Sequence, residues 1–547
     1  MTIRKETCLL ALALIAAGSV AAQEDKQKGY LTGSFESNSI CYTKETEVQN
    51  AMYPDDKIGS NNYLKLDYYR GKLAVGVQLE GYFPVQQNYP VELKGAKLTN
   101  YYVTWADDDF TVTAGTFYDQ FGSGLLFRSW EDRTLGLNNA VMGARFTYNY
   151  KNIVGVKGIW GLPRLGMEFS ESQVRGIDLS FAVSELAKWQ GAYLSLEGSV
   201  LNRYEKISTE LEEDGGDPSR MGYSGRLNFE TGGFSMKAEY VDAGKKYYNN
   251  PTMGVDGDNR IWLTKNGNAQ LLELAYNRKG LGINLTGRRL EWMDSKITMN
   301  GNEASSTANM LNYIPAVCTQ YTYLLTTLHP YNPQTGKLEG VLNSGEIGGQ
   351  FDIYYNFRRG SALGGKRGLK VHANFSSYYS LQAEGSVKAR NLLYRDLSVD
   401  LEKQFTKEFK AMILYSMQEA NTNYGDTNTT RLQNIFVADM QYKFTPRFST
   451  RLELQYLTTQ GDDKDWMAAL LELNFAPAWS VWGSDMYNHG NPGKKLHYYN
   501  VGISYAKSRT RVALGFGRYK AGYLCSGGVC RPISAYTGAN LQITTSF

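Results

Sequence analysis

The chain has 547 residues, a formal net charge of +4, 40 Tyr, 56 Gly, 9 Trp and 22 Phe, but only 13 Pro and 5 Cys. Its mean hydropathy is −0.41, and past the extreme N-terminus no run approaches the roughly 18 apolar residues of a membrane-crossing helix. A helical membrane protein is thereby excluded, while a β-barrel, which needs only alternate residues apolar, is not. So small a net charge on so long a chain gives no argument for nucleic acid as a partner.

In chain order, the first element is an export signal. "TIRKE" is a short basic region, "CLLALALIAAGSV" an apolar core, and Val20-Ala21-Ala22 a small-residue cleavage site before Gln23, so residues 1–22 read as a cleaved signal peptide that takes Cys8 with it. Residues 23–547 then form one β-domain. Alternating segments recur from about residue 28 to the end, among them "YLKLDYY" (63–69), "LAVGVQLEGY" (73–82), "FTVTAGTF" (110–117), "FSTRLELQY" (448–456) and "RVALGFGRY" (511–519). Each is long enough to cross a bilayer when tilted. No helical periodicity is sustained, and "SELAKW" (184–189) reads as a turn. Tight links such as "DDD" (107–109), "YKN" (150–152), "TGG" (231–233), "RKG" (278–280) and "TPR" (445–447) alternate with long polar segments near 43–60, 85–97, 118–140, 203–220, 244–268, 292–344, 380–393, 420–431 and 521–533. Short periplasmic turns and long external loops are the topology of an outer-membrane barrel. The expected fold is all-β, a single closed antiparallel transmembrane barrel of about 24 strands, within a range of about 22–26. The first strand begins within about ten residues of the cleavage site, so no N-terminal plug domain is expected, which argues against a TonB-dependent transporter.

The connection 118–140 is the first functional candidate. "FYDQFGSGLLFRSWEDRTLGLNNAVMGARF" (117–146) holds glycines that permit a sharp fold-back, apolar Leu125, Leu126 and Phe127 to anchor it, and charges of both signs. An inward fold would make Phe121, Arg128, Glu131, Asp132, Arg133 and Arg145 a pore constriction with a transverse field.

"GYSGRLNFETGGFSMKAEY" (222–240) fixes which face is which. Tyr223, Leu227, Phe229, Phe234, Met236 and Tyr240 share one face and Arg226, Glu230, Lys237 and Glu239 the other. A one-residue slip would put four charges into lipid, at roughly 2–4 kcal/mol per basic residue near the midplane. Lipid therefore meets the aromatic face, and Arg226, Glu230, Lys237, Glu239, Arg451 and Glu453 face the lumen.

The segment 292–344, with "LNYIPAVCTQYTYLLTTLHPY", is expected as a long external loop packed as a lid over the barrel mouth, or as an aromatic surface for glycans or a partner protein. No catalytic constellation is found, so an enzyme is not expected. His329, His372, His489 and His497 lack metal-ligand spacing, no cofactor motif occurs, and the one conceivable acid–base pair is His489 with Asp485. Four cysteines survive cleavage. "CSGGVC" favours a local Cys525–Cys530 disulfide, leaving Cys41 and Cys318 either as a second pair or as free thiols.

The chain closes on "ANLQITTSF", an amphipathic strand ending in Phe547. That ending resembles the assembly signal of outer-membrane barrels. With the export signal, "NYIPAVCTQYTYLLTTLHPY" and "FYDQFGSGLLFRSWEDR", the mature chain resembles a large porin-like barrel of the Bacteroidota outer membrane, of a family without an established function. The resemblance implies a Gram-negative outer-membrane location, the membrane lipid and the barrel-assembly machinery as partners, and no activity. Two functions then stand: a porin-like channel for passive or gated passage of small polar solutes, or a structural or assembly component, partnered with outer-membrane lipoproteins, whose lumen is closed by loops or a partner.

Overall fold

The computed structural model describes residues 29–48, 54–90, 93–249, 261–294, 310–336, 343–382, 390–423, 425–461 and 463–547, and residues 1–22, the expected signal peptide, lie outside these. Twenty-four strands close into one antiparallel ring. They are β1 (Tyr30–Thr43), β2 (Ile58–Arg70), β3 (Leu73–Tyr82), β4 (Gly95–Ala106), β5 (Phe110–Phe117), β6 (Val141–Tyr150), β7 (Val154–Leu165) and β8 (Gln173–Ala182). The ring continues through β9 (Ala192–Tyr204), β10 (Ser219–Thr231), β11 (Phe234–Asn249), β12 (Trp262–Arg278), β13 (Leu281–Glu291), β14 (Asn343–Phe357), β15 (Leu369–Gln382) and β16 (Leu392–Gln404). It ends with β17 (Phe409–Asn421), β18 (Thr430–Thr445), β19 (Phe448–Thr459), β20 (Trp466–Phe475), β21 (Trp479–Tyr487), β22 (His497–Lys507), β23 (Thr510–Tyr519) and β24 (Tyr536–Ser546). A further strand of the same sheet, Glu168–Phe169, pairs only with Arg164 and Leu165 and lies outside the ring, as do three small two-stranded hairpins.

β24 closes the ring on β1, in the register Ser34↔Ser546 through Thr43↔Thr537. Phe547 extends that seam: its backbone N–H donates to the Gly33 carbonyl and the Gly33 N–H donates back, both at 2.9 Å. The Phe547 ring lies across Gly33, where a Cβ would sit 2.4 Å from it. Gly33→Val is therefore expected to displace the terminal aromatic and lower the yield of folded barrel, read as the heat-modifiable band on a gel. Phe547→Ala, which loses the ring and keeps the backbone pair, gives a smaller loss.

The two solvents account for the alternation. Outward residues are large and apolar: Tyr223 is 48 % exposed, Tyr240 53 %, Ile413 63 % and Phe436 50 %. Between Glu419 and Phe409 the outer face of β17 carries Met417, Tyr415, Ile413 and Ala411. Those ten residue steps span about 33 Å along the strand, or about 25 Å of height at a tilt near 40°. That matches the lipid-facing band of an outer-membrane barrel. One edge of the band is aromatic, with Phe405 stacked on Phe409, Phe444 on Phe448, Phe448 on Phe475 and Trp479 against Tyr505. The other edge carries outward ion pairs, Arg289–Glu291 at 2.5 Å, Arg395–Glu419 at 3.3 Å and His497–Asp485 at 2.6 Å.

Connections sort by end. The aromatic edge carries 71–72, 107–109, 151–153, 232–233, 279–280, 446–447 and 508–509, and the charged edge 44–57, 83–94, 118–140, 205–218, 292–342 and 520–535. The sorting is not strict, since 358–368 is long at the first end and 166–172 and 460–465 are short at the second. "SELAKW" holds a four-residue helix, Val183–Leu186, rather than a plain turn.

Candidate functional site

A circular ring of 24 strands is about 48 Å across at a tilt near 40°, far too wide for wall side chains to fill. Two connections from the charged edge fold back against the inner wall instead. In the first, 118–140, Gln120–Phe121 pairs with Phe127–Arg128, and Glu131–Asp132 with Leu137–Asn138, so the segment is two small hairpins. The first tip inserts Phe121, Leu125, Leu126 and Phe127 against Val141, Ile159, Val174, Leu201, Val241, Ala269 and Leu290 of the wall. Gly122 makes the bend at φ +53°, and a Cβ there would lie 2.5 Å from the Arg226 side chain and 2.6 Å from Glu239, so both the conformation and the space demand glycine. Asp119 ties the base of the segment to the wall through Lys157 (2.7 Å) and Arg145 (2.5 Å).

The six constriction candidates separate here. Phe121 is fully buried against the wall and lines no pore, a correction whose cause is the apolar patch that β6–β13 present inward. Arg128 stacks on Tyr313 with its guanidinium carbon 4.0 Å from the ring centroid. Arg133 reaches Glu36 on β1 at 2.7 Å, and its guanidinium carbon stands 4.3 Å from the ring centroid of Tyr63 on β2. Glu131 accepts from Gln78 at 3.0 Å, and Asp132 accepts from the Thr134 backbone N–H at 3.0 Å within its own turn. Arg145 belongs to β6 and serves Asp119.

The second inward connection was expected outside. The described part of 292–344, residues 310–336, runs along the inner face of consecutive strands rather than over the mouth as a lid. Val317, Cys318 and Tyr331 pack on Tyr378, Leu393 and Tyr394 of β15 and β16. Tyr323 and Leu325 pack on Leu414, Ile435, Val437, Leu457, Trp466 and Ala468 of β17–β20. Wall polar groups satisfy the backbone this buries: the Tyr378 hydroxyl donates to the Val317 carbonyl at 2.9 Å, Gln418 to the Thr326 carbonyl at 3.2 Å, and the Leu325 N–H donates to Gln455 at 2.9 Å. The physical reason for the inward course is that these wall positions are apolar where a wet lumen would favour polar residues.

An ion pair anchors this segment. Arg288 and Glu346, on the inner face of β13 and β14, meet at 2.5 Å with side chains 1 % and 0 % exposed. Arg288 also donates to the Pro315 carbonyl, while Glu346 accepts from the Tyr331 hydroxyl at 2.5 Å and the Gln334 N–H at 2.9 Å. Burial, and then the Glu346 charge, push the Tyr331 hydroxyl well above its ordinary range, so it stays a donor. Farther along, Tyr321 donates to Asp400 at 2.8 Å, and Asp400 and Asp352 flank His372 at 2.6 and 3.2 Å. Where the segment ends its run along the wall, a small cavity is lined by His329, Arg431, Asp463, Trp466 and Lys520. Burial, then Arg431 and Lys520, push the His329 imidazole down to about 4.

The two segments are joined. The Arg128 N–H donates to the Leu311 carbonyl at 2.8 Å, the Tyr313 N–H to the Gly124 carbonyl at 2.9 Å, and Asn312 to the Leu125 carbonyl at 3.1 Å. A third piece wedges them: the hairpin Gly522–Ser526 with Val529–Ile533, closed by the Cys525–Cys530 disulfide. Its Gly527 carbonyl accepts from Ile314 at 3.0 Å, and Val529 packs with Trp130, Leu135, Leu137 and Met310.

The charged wall residues form a gradient. Arg226 and Glu239, toward the long connections, are each 8 % exposed, and Arg226 is held by Asp178 and by Glu197 at 2.8 Å. Glu230 and Lys237, nearer the tight turn, are exposed. Arg451 pairs with Asp439 at 2.9 Å and Glu453 at 2.8 Å. Toward the long connections the inner wall is thus covered by folded-back chain, while toward the tight turns charged side chains such as Glu230 and Lys237 are exposed.

The structure decides between the two readings of Cys41 and Cys318 and corrects the pairing of His489 with Asp485. Cys41 and Cys318 are both free thiols: Cys41 is exposed on the outer face of β1, whereas Cys318 is buried against Tyr378 and Tyr394, so the wall separates them. Asp485 meets His497, not His489. Burial, then the Asp396 charge, push the Cys318 thiol up. In a Cys41→Ser background, a water-soluble maleimide is expected to label the folded protein about a hundredfold more slowly than the urea-unfolded chain, as a local opening free energy near 3 kcal/mol requires. Cys318 then reports release of the segment.

Sequence reasoning missed Arg288, Glu346 and Tyr331. "GRRLE" (287–291) offered a signal, since in a strand one of two adjacent arginines must face inward.

Known structures resemble the barrel only distantly. The P pilus usher (PapC) translocation pore is 8 % identical, with 95 % of this chain and 99 % of that one covered and a TM-score of 0.43. The siderophore receptor PirA of Pseudomonas aeruginosa is 9 % identical over 96 % of this chain and 81 % of that one, at 0.42. A mutant Rh. blastica porin is 14 % identical over 65 % of this chain and all of that one, at 0.28. No curated protein matches the sequence. The model of a family of unknown function, DUF6029, matches residues 4–547, and since that span takes in every strand of the ring and each segment folded inside it, the chain belongs to that family.

Proposed function

We propose that this barrel is a gated outer-membrane channel for small polar solutes, closed at rest by its own segments 118–140 and 310–336. The observation that carries this reading is the folded-back chain that covers the inner wall toward the long connections. Segment 310–336 is fastened to β13–β20 by apolar packing, side-chain hydrogen bonds and one ion pair, whereas charged wall residues nearer the tight turns, Glu230 and Lys237 among them, are exposed. A segment tied by such contacts has a second, undocked arrangement available without disturbing the ring, whose ladder is complete without it. In this reading the long connections are external, the tight turns periplasmic and residues 1–22 removed. The β24–Phe547 strand is read by the barrel-assembly machinery. Paired wall charges such as Arg226 with Asp178 and Glu197 favour weak ion selectivity, and no catalytic role is assigned. The test is planar-bilayer conductance of the purified protein: rare, brief openings from a low baseline are expected, and a steadily open pore would defeat gating.

The buried Arg288–Glu346 anchor also favours a second reading, a permanently closed barrel serving as an assembly component with lipoprotein partners. A lumen that stays shut after the anchor is removed would select it.

A further inference from the structure

The outer face carries cations in the ring of polar residues at the charged edge, and they are not equivalent. Arg289, Arg395 and His497 each meet a carboxylate on a neighbouring outward position. Arg175 does not. It is the third residue of β8, outward and exposed, placed by register between Trp160 of β7 and Asn202 of β9. Among the described residues its side chain makes no hydrogen bond or ion pair. Directly below it the lipid-facing surface is hollowed. Ala144 and Gly158 form a low floor, Gly158 having nothing within 4 Å of where a Cβ would stand, and Phe146, Trp160, Ile177 and Met221 form raised walls. Trp160 is 51 % and Ile177 54 % exposed, so the walls stand out into the membrane.

From this we infer that the β6–β10 face holds one anionic, phosphate-bearing lipid, its phosphate on Arg175 and one acyl chain in the depression over Gly158. The argument is charge complementarity in a place where charge is costly. An arginine at the membrane boundary lays its methylene stem on apolar surface and keeps its head at headgroup level. There its planar fork matches a phosphate in two parallel hydrogen bonds. Arg289, Arg395 and His497 take a protein carboxylate for that purpose; Arg175 has none, and a shallow apolar depression adjoins it. The site lies on the outside of the wall and is independent of whether the lumen opens.

Native mass spectrometry of the full mature protein released from detergent tests this, with phosphatidylglycerol and phosphatidylcholine of the same acyl chains as probes. One phosphatidylglycerol is expected to be retained in preference to phosphatidylcholine, and inorganic phosphate at equal concentration is not expected to displace it. Arg175→Gln should lower that retention about tenfold, the scale of one charge-assisted contact. Gly158→Leu, which fills the floor without touching Arg175, should lower retention of both lipids, while Arg395→Gln should leave it unchanged. Heat-modifiability confirms that each variant is folded. Equal retention of the two lipids by the unaltered protein, or retention indifferent to both Arg175→Gln and Gly158→Leu, overturns the site. Displacement by inorganic phosphate would reduce it to a simple anion contact and overturn the lipid assignment.

Discussion

Deleting residues 311–333 is expected to raise the conductance of the purified barrel roughly tenfold or more, because the obstruction it removes lies along six consecutive wall strands of a lumen no side chain can span. The prediction rests on the division of labour inside the barrel. The ring is held by an unbroken ladder from β1 to β24 and back to β1, none of it contributed by 311–333. Removing the segment exposes Leu414, Ile435, Val437 and Leu457 to water inside, which weakens the wall locally but leaves each strand its two neighbours. Deletion of 122–137 opens the other side, and the smaller increase expected there follows from its shorter course. It also removes Arg128 and Gly124, which hold Leu311 and Tyr313, so some loosening of 310–336 should accompany it. Single-channel recording separates the two deletions, and unchanged conductance in both would mean that neither segment closes the pore.

How much of this was legible in the sequence depends on how local the determining physics is. The strands were, because lipid outside and water inside impose period two on every crossing: Tyr223, Leu227 and Tyr240 against Arg226, Lys237 and Glu239 settle their register without any partner. The ring order followed from tight turns joining neighbours. The Cys525–Cys530 staple needed only five residues of chain. The fate of 310–336 was not legible in the segment itself, since an aromatic stretch has the same composition whether it roofs the mouth or lines the wall. The deciding residues lie about a hundred positions later, in "MILYSM" (412–417) and "QNIFVADM" (433–440), where Leu414, Ile435 and Val437 are apolar on the face that alternation assigns to water. A strand apolar on both faces within a barrel wall reports that something covers the inner one. The same rule bears on 118–140, whose apolar tip meets Val241, Ala269 and Leu290 on inward positions. The Arg288–Glu346 pair is a different case: "GRRLE" required one inward arginine, but nothing in the sequence says that its partner follows a connection of 51 residues, from 292 to 342.

Glu346→Ala is expected to release the segment with an effect of about 3–5 kcal/mol, the penalty of stranding a buried guanidinium once its carboxylate is gone. Three donors converge on Glu346, from Arg288, Tyr331 and the Gln334 backbone, so the substitution takes this acceptor from all of them at once and leaves the guanidinium without its counter-charge. Arg288→Met should cost a similar amount, because it leaves the carboxylate buried with only neutral donors. The double variant Arg288→Met/Glu346→Gln distinguishes a charge anchor from mere packing. It removes both charges, keeps an acceptor for the Tyr331 hydroxyl and fills the volume of the arginine stem. Much of the lost docking energy should therefore return, giving a coupling of about 2 kcal/mol or more between the two sites. Maleimide labelling of Cys318 in the Cys41→Ser background, followed against urea below the unfolding of the ring, reads docking directly, and conductance reads its consequence. If the single variants label no faster than the parent, the ion pair is structural decoration of the wall and the segment is held by its apolar packing and its other hydrogen bonds. If they label faster but stay electrically silent, the segment moves without opening a path, and closure belongs to 118–140.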